Sequence, residues 1–152
     1  MMILNTVVTG LGDMGLSLTF AAIGSAIGTG IAGMAAVGAW KKMIANGQKA
    51  ATSLLIFVGA PLSQVIYGMI LKNSIAGANL NPDSYMWQVI IGIAAGAAMG
   101  VSAIFQGKAG ARVCDAVASG ANDTSKYIMI IGIIETVALF VMIFTMTGIP
   151  KA

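Results

Sequence analysis

The sequence predicts an all-α membrane protein, with four transmembrane helices forming two duplicated helical hairpins in a single domain over residues 1–152. Three observations predict this class. The chain is 58% apolar and only 9% charged, against about 25% charged residues in an ordinary soluble domain, and its mean hydropathy is +0.92. Its apolar residues fall in four continuous runs, each long enough to cross a hydrocarbon core of about 30 Å. The first pair of runs also resembles the second in sequence.

The first run, Leu16–Trp40, contains no charge. The second, Ala50–Leu71, is bounded by Lys49 and Lys72. The third, Met86–Phe105, continues as a more polar helical extension to about Ala118, and the fourth, Tyr127–Thr147, holds one charge, Glu135. Lipid offers backbone polar groups no partner, so each run must be a helix. A barrel would require short strands alternating apolar and polar residues, and these runs are too continuous for that. The connections Lys41–Lys49, Asn73–Tyr85 (with an Asn81-Pro82 turn) and Ser119–Lys126 are short. Short connections make consecutive helices antiparallel neighbours, giving a first hairpin over 11–72 and a second over 85–149.

Orientation follows from the basic residues. Lys41, Lys42, Lys49, Lys108, Arg112 and Lys126 fall on the side of the first and third loops, and only Lys72 and Lys151 on the other. The positive-inside bias then places those loops in the cytoplasm and both termini outside, as a multi-pass protein of the cell membrane. The net charge of +3 is thus a topology signal, and no nucleic-acid partner is expected. No Lys or Arg precedes Lys41, so the basic stretch of a cleaved signal peptide is missing. Cys114 falls at the cytoplasmic end of the third helix, where a thiol stays reduced.

The repeat is clearest when Gly24–Trp40 is aligned with Val101–Val117. Ser25-Ala26-Ile27 matches Ser102-Ala103-Ile104, Gly30 matches Gly107, Ala32-Gly33 matches Ala109-Gly110, and Ala39 matches Ala116. Gln64 can be set against Glu135 only with extra residues in the first hairpin's loop, yet the pairing joins a carboxylate to its near-isosteric amide. Gly24 and Gly28, like Gly92, Gly96 and Gly100, recur at four-residue spacing, which lets helix backbones approach closely. Two arrangements fit this, packing inside one bundle or an inner circle of helices from several subunits. The second and fourth helices carry the bulky side chains and suit an outer layer facing lipid.

Several chemistries are excluded. With no His and one Cys, His-based catalysis, most zinc and haem sites, and an intrachain disulfide are absent. Gly10–Gly15 and Gly28–Gly33 both fit G-x-G-x-x-G, and the first follows a strand-like Ile3–Val8. After Asp13, however, the next acid is Asp83, so the ribose-binding acid of a dinucleotide fold is missing. Asn122-Asp123-Thr124 fits a glycosylation acceptor, but the topology places it in the cytoplasm.

Of the five acids, Asp13, Asp83, Asp115 and Asp123 fall at helix ends or loops, leaving Glu135 as the one buried charge. No basic residue is expected at its depth. A mid-membrane carboxylate costs about 2.5–3.5 kcal/mol on insertion scales, and Gln would fill a structural role at lower cost, so Glu135 is a functional candidate. Ser63, Gln64 and Tyr67 on the second helix, Gln106 on the third and Thr136 beside Glu135 supply only oxygen donors, with Pro61 freeing backbone carbonyls nearby. Oxygen-only clusters suit hard cations, and one carboxylate matches a monovalent ion.

Pro61-Leu62-Ser63-Gln64-Val65-Ile66-Tyr67-Gly68, Gln106-Gly107-Lys108 and Glu135-Thr136 together resemble the membrane-rotor subunit of V-type and A-type ATPases (proteolipid, c or K subunit). The resemblance covers essentially the whole chain and is closest to the sodium-pumping bacterial type. It implies a ring of identical subunits turned by a soluble ATPase motor, with Na⁺ (or H⁺) carried by Glu135. By analogy Ser63, Gln64 and Gln106 add side-chain oxygens, Ala60 a carbonyl, and Tyr67 orients the carboxylate. Ser63 stands where such members commonly have Thr, so a hydroxyl is kept. The implied partners are identical copies, a stator membrane subunit with an essential Arg, a central-stalk subunit on the cytoplasmic side, and lipid. The chain itself is expected to catalyse nothing. An H⁺-carrying ring, a four-helix proton-coupled exporter and a membrane scaffold are the alternatives.

Overall fold

The structure, a computed structural model, describes residues 12–121 and 123–150. Its helices are α1 (Leu16–Ala45), α2 (Leu54–Gly59), α3 (Ser63–Gly77), α4 (Tyr85–Ala118) and α5 (Thr124–Thr147). A 3₁₀ turn over Ala60–Leu62 joins α2 to α3, and another over Pro82–Ser84 leads into α4. Leu54–Gly77 is thus one membrane-length span, and together with α1, Pro82–Ala118 and α5 makes four such spans. No strand occurs among the described residues.

The helices overrun the apolar runs. α1 continues through Lys41 and Lys42, and α3 through Lys72 to Gly77, because charged side chains at the membrane boundary reach water without breaking the helix. At one end of the bundle Lys42 Nζ donates to Ser119 Oγ at 3.2 Å, so the α1–α2 and α4–α5 connections share that end. Trp40 Nε1 donates to Ala51 O at 2.8 Å and pins the first connection to α1. Asp123 caps α5 through the Lys126 N–H and pairs with the Lys126 ammonium; that ammonium holds its carboxyl below the usual range. Lys151 and Asn122 lie outside the described residues.

Asp13 departs from expectation. It is fully buried, not solvated at a helix end, so Glu135 is not the one buried charge. Its carboxylate accepts the N–H groups of Gly15 (2.9 Å) and Ser17 (2.8 Å), which lack intrahelical partners at the start of α1 and replace water around the anion. The preceding turn uses positive φ at Gly12 and Gly15. These helix-start donors at Gly15 and Ser17 are therefore already engaged by the chain's own carboxylate and are not free for a phosphate. Gly10, Leu11 and the strand-like Ile3–Val8 lie outside the described residues, and Gly28–Gly33 lies inside α1.

α1 and α4 make the most extensive contact in the bundle, and the glycines explain why. A Cβ on Gly24 would overlap the backbone of Gly100, one on Gly28 the Ala103 carbonyl, and one on Gly107 the backbone of Gly28. Gly92 and Gly96 likewise close on Asp13 and Ser17. These glycines therefore let α1 and α4 pack closely within the chain. α5 lies at the periphery, with only 17% of its most apolar window buried against 44% for the third span. Ile56, Ile66, Ile130, Val137 and Phe144 present bulk outward, as expected for the second and fourth spans. The α1 residues Ile23, Ile27, Met34 and Val37 are exposed as well.

Candidate functional site

Glu135 lies midway along α5 and is half-buried, facing donors from α3 and α4. Tyr67 Oη donates to its Oε1 at 2.7 Å. Gln106 Nε2 donates to its Oε2 at 3.3 Å and to the Ile131 carbonyl at 3.2 Å. The chain of bonds continues away from the acid. Gln64 Nε2 donates to Gln106 Oε1 at 2.9 Å, and Ser63 Oγ lies 3.2 Å from Gln64 Oε1 and 3.1 Å from Ala60 O. Gln64 and Gln106 are both fully buried, where an unpaired amide would be costly.

Local sequence produces this convergence. Pro61 has no N–H, so the helix tightens into the 3₁₀ turn, and the Ser63 N–H bonds Ala60 O. The Phe57 carbonyl, which an ordinary residue 61 would engage, lies where a Cβ on Gly110 would come within 2.8 Å of it. Beyond the turn, Ser63 and Gln64 fall at the start of α3, and Tyr67 follows one turn later on the same face. Gly107 lets α4 close against α1 beside Gln106.

Six of the residues singled out from the sequence, Glu135, Tyr67, Gln106, Gln64, Ser63 and Ala60, therefore belong to one hydrogen-bonded group. Thr136 does not. It is exposed and donates to Ile133 O of its own helix at 2.7 Å, because adjacent residues on a helix point in different directions. A second departure concerns depth. Lys108 is only two residues from Gln106, so a basic residue does lie near the level of Glu135. Two residues turn the helix through about 200°, and the ammonium sits 5.0 Å from the Phe105 ring centroid on the other side of α4. Ser102, one turn before Gln106, escaped the sequence reading of the site. Its hydroxyl donates to Ile134 O at 2.8 Å and fastens α4 to the segment of α5 that carries the acid. Its match to Ser25 in the repeat was the available signal.

The donor set defines the chemistry open to the group. It combines a single carboxylate with amide, hydroxyl and carbonyl oxygens, and no three His, Cys, Asp or Glu cluster anywhere among the described residues. Such a set has too little negative charge for a divalent cage and suits a hard monovalent cation or a proton.

The family model of the ATP synthase C-subunit matches the chain twice, over residues 13–71 and 89–147. No curated protein and no solved structure matches it. Each matched window contains one helical hairpin, which bears out the duplication read from the sequence. The only acid in the first window is Asp13 at its start, so the first hairpin has no mid-span counterpart of the Glu135 carboxylate. Members of this family are the non-catalytic proteolipid of the membrane rotor, an ion-carrying component that forms a homo-oligomeric ring against a stator protein. With both halves of its length matched, this four-helix membrane protein belongs to the ATP synthase C-subunit family as a tandem duplication of its hairpin.

Proposed function

We propose that the chain is the rotor subunit of a V-type ATPase and carries one Na⁺ at Glu135 per subunit. The observation that supports this most is the closed group around Glu135, in which Tyr67 and Gln106 donate to the carboxylate and the oxygen-bearing Gln64, Ser63 and Ala60 continue the bonded chain from Gln106. A free carboxylate is strongly disfavoured against lipid. With Na⁺ bound the site is neutral overall and passes through the bilayer as the ring turns. In this reading Glu135, Gln64, Ser63 and the Ala60 carbonyl donate oxygens to the ion, Gln106 Oε1 joins them when its amide turns, and Tyr67 holds the carboxylate. An essential Arg on the stator displaces the ion into a half-channel, and a fresh ion enters from the other. Rotation is driven by ATP hydrolysis on the soluble motor, coupled through a central-stalk subunit docked at the cytoplasmic first and third loops, with both termini outside. One carboxylate per four helices moves fewer ions per turn than a ring of single hairpins, which suits ATP-driven pumping.

The test is carbodiimide modification of Glu135 in the purified ring, with and without Na⁺. Protection by Na⁺ at neutral pH is the expected result. Protection by acid alone would make the ring a proton carrier, and absence of labelling would overturn the carrier role and favour an exporter or scaffold.

A further inference from the structure

Ser25 and Thr29 of α1 carry the two buried hydroxyls, among the described residues, that the hydrogen-bond network leaves aside. Ser25 is 1% exposed, and neither Ser25 Oγ nor Thr29 Oγ1 has a hydrogen-bonding partner among the described residues, although both atoms are buried. A helical Ser or Thr always has a fallback, the carbonyl one turn back on its own helix. Other hydroxyls of this protein take it: Thr19 bonds Gly15 O at 2.9 Å, Ser74 bonds Ile70 O at 2.9 Å, and Ser119 bonds Asp115 O at 2.9 Å. Ser25 and Thr29 are turned away from theirs, at a cost that an unmade buried hydrogen bond entails.

Their neighbour can be located from the packing. A Cβ on Gly68 would lie 2.9 Å from Ala21 Cβ, and one on Gly28 would lie 3.1 Å from Pro61 Cβ. α1 and the α2–α3 span run antiparallel, so the midpoint between these contacts puts Ser25 and Gln64 at the same level of the two spans. Thr29 follows one turn later on the same face of α1. Gln64 uses one of its two amide N–H groups on Gln106, and among the described residues no other acceptor bonds its Nε2.

We propose that Ser25 and Thr29 hold a single buried water behind Gln64, and that this water fixes the orientation of the Gln64 carboxamide in the ion site. The inference rests on the reading of Gln64 as an ion ligand and deepens it. A water has two protons and two lone pairs, so it can accept the second Gln64 N–H while bonding both hydroxyls, and three partners are typical for a buried water. With that N–H held on the α1 side, Oε1 stays directed toward Ser63 and the ion. Ser25 and Thr29 are thus positioning residues that touch no cargo.

The test uses the intact ring. A high-resolution cryo-electron-microscopy map is expected to show one density peak within hydrogen-bonding distance of Ser25 Oγ and Thr29 Oγ1; a dry map overturns the proposal. The double variant Ser25→Ala, Thr29→Val is expected to need about fivefold more Na⁺ for half-protection against carbodiimide, the effect of about one hydrogen bond, whereas Thr29→Ser keeps the wild-type value. If the hydroxyls bind nothing, removing them relieves two unmade hydrogen bonds. The double variant would then melt at a higher temperature with Na⁺ protection unchanged, which also overturns the proposal. Should the wild-type ring lack Na⁺ protection altogether, the sodium reading fails, and the map and the melting temperature still decide the water.

Discussion

Gly107→Ala is the substitution that most directly links helix packing to the ion site. A Cβ at this position would overlap three backbone atoms of Gly28, its O, C and Cα, so no side-chain rotation can relieve it. Restoring van der Waals separation requires α1 and α4 to part by about 1 Å, and a gap of that size forfeits up to about half of each pairwise dispersion contact along the seam. Overpacking costs typically ~1–3 kcal/mol, and backbone on both sides puts this case at about 3 kcal/mol per chain. The site responds because Gln106 rides on α4 while Gln64 rides on α3, which stays seated on α1 through Gly68. Adding about 1 Å to the 2.9 Å Gln64–Gln106 bond takes it beyond hydrogen-bonding range. The expected outcome is a ring that melts several degrees lower and requires at least about fivefold more Na⁺ for carbodiimide protection, since one buried hydrogen bond is lost. Gly77→Ala is the matched control, because nothing lies within 4 Å of its Cβ and a helical Gly→Ala change is worth up to about 1 kcal/mol in the opposite direction. If Gly107→Ala melted and bound Na⁺ like Gly77→Ala, the idea that glycine-mediated contact sets the site would be refuted.

Two further outcomes follow from named contacts. Ser63→Ala removes the hydroxyl between Ala60 O and Gln64 Oε1 and should weaken Na⁺ protection about tenfold, equivalent to ~1.4 kcal/mol, while Ser63→Thr keeps it; equal affinities for the Ala and Thr variants would remove Ser63 from the site. Asp13→Ala leaves the buried N–H of Ser17 and the partly buried N–H of Gly15 unpaired and should lower ring stability by about 2 kcal/mol without changing Na⁺ affinity, measured by thermal melting alongside carbodiimide protection.

The four spans were legible because continuous apolar runs leave a membrane chain no alternative to helix. Their ends were less so. Lys41, Lys42 and Lys72 read as boundaries, yet the helices continue through them, since charge at an interface costs a helix nothing. Which polar side chains share the hydrogen-bonded group was largely legible from residue type, with Ala60 named only through the resemblance, and Thr136 shows the limit of that reading: sequence adjacency to Glu135 says nothing about direction on a helix. Lys108 illustrates the same point in depth and azimuth, lying near the level of the acid but facing Phe105. Asp13 was misread because a carboxylate at a helix start is equally consistent with solvent exposure and with capping in the interior. Its full burial, and the close approach of Gly92, show which applies.

Carriage of one ion per chain at Glu135 is tested most directly by counting bound ions. Equilibrium binding of radioactive Na⁺ to the purified ring should saturate at one ion per chain and vanish in Glu135→Gln, a change that keeps the side chain's size and removes only its charge. Saturable binding that survives Glu135→Gln, or a wild-type ring that binds no Na⁺, would contradict it.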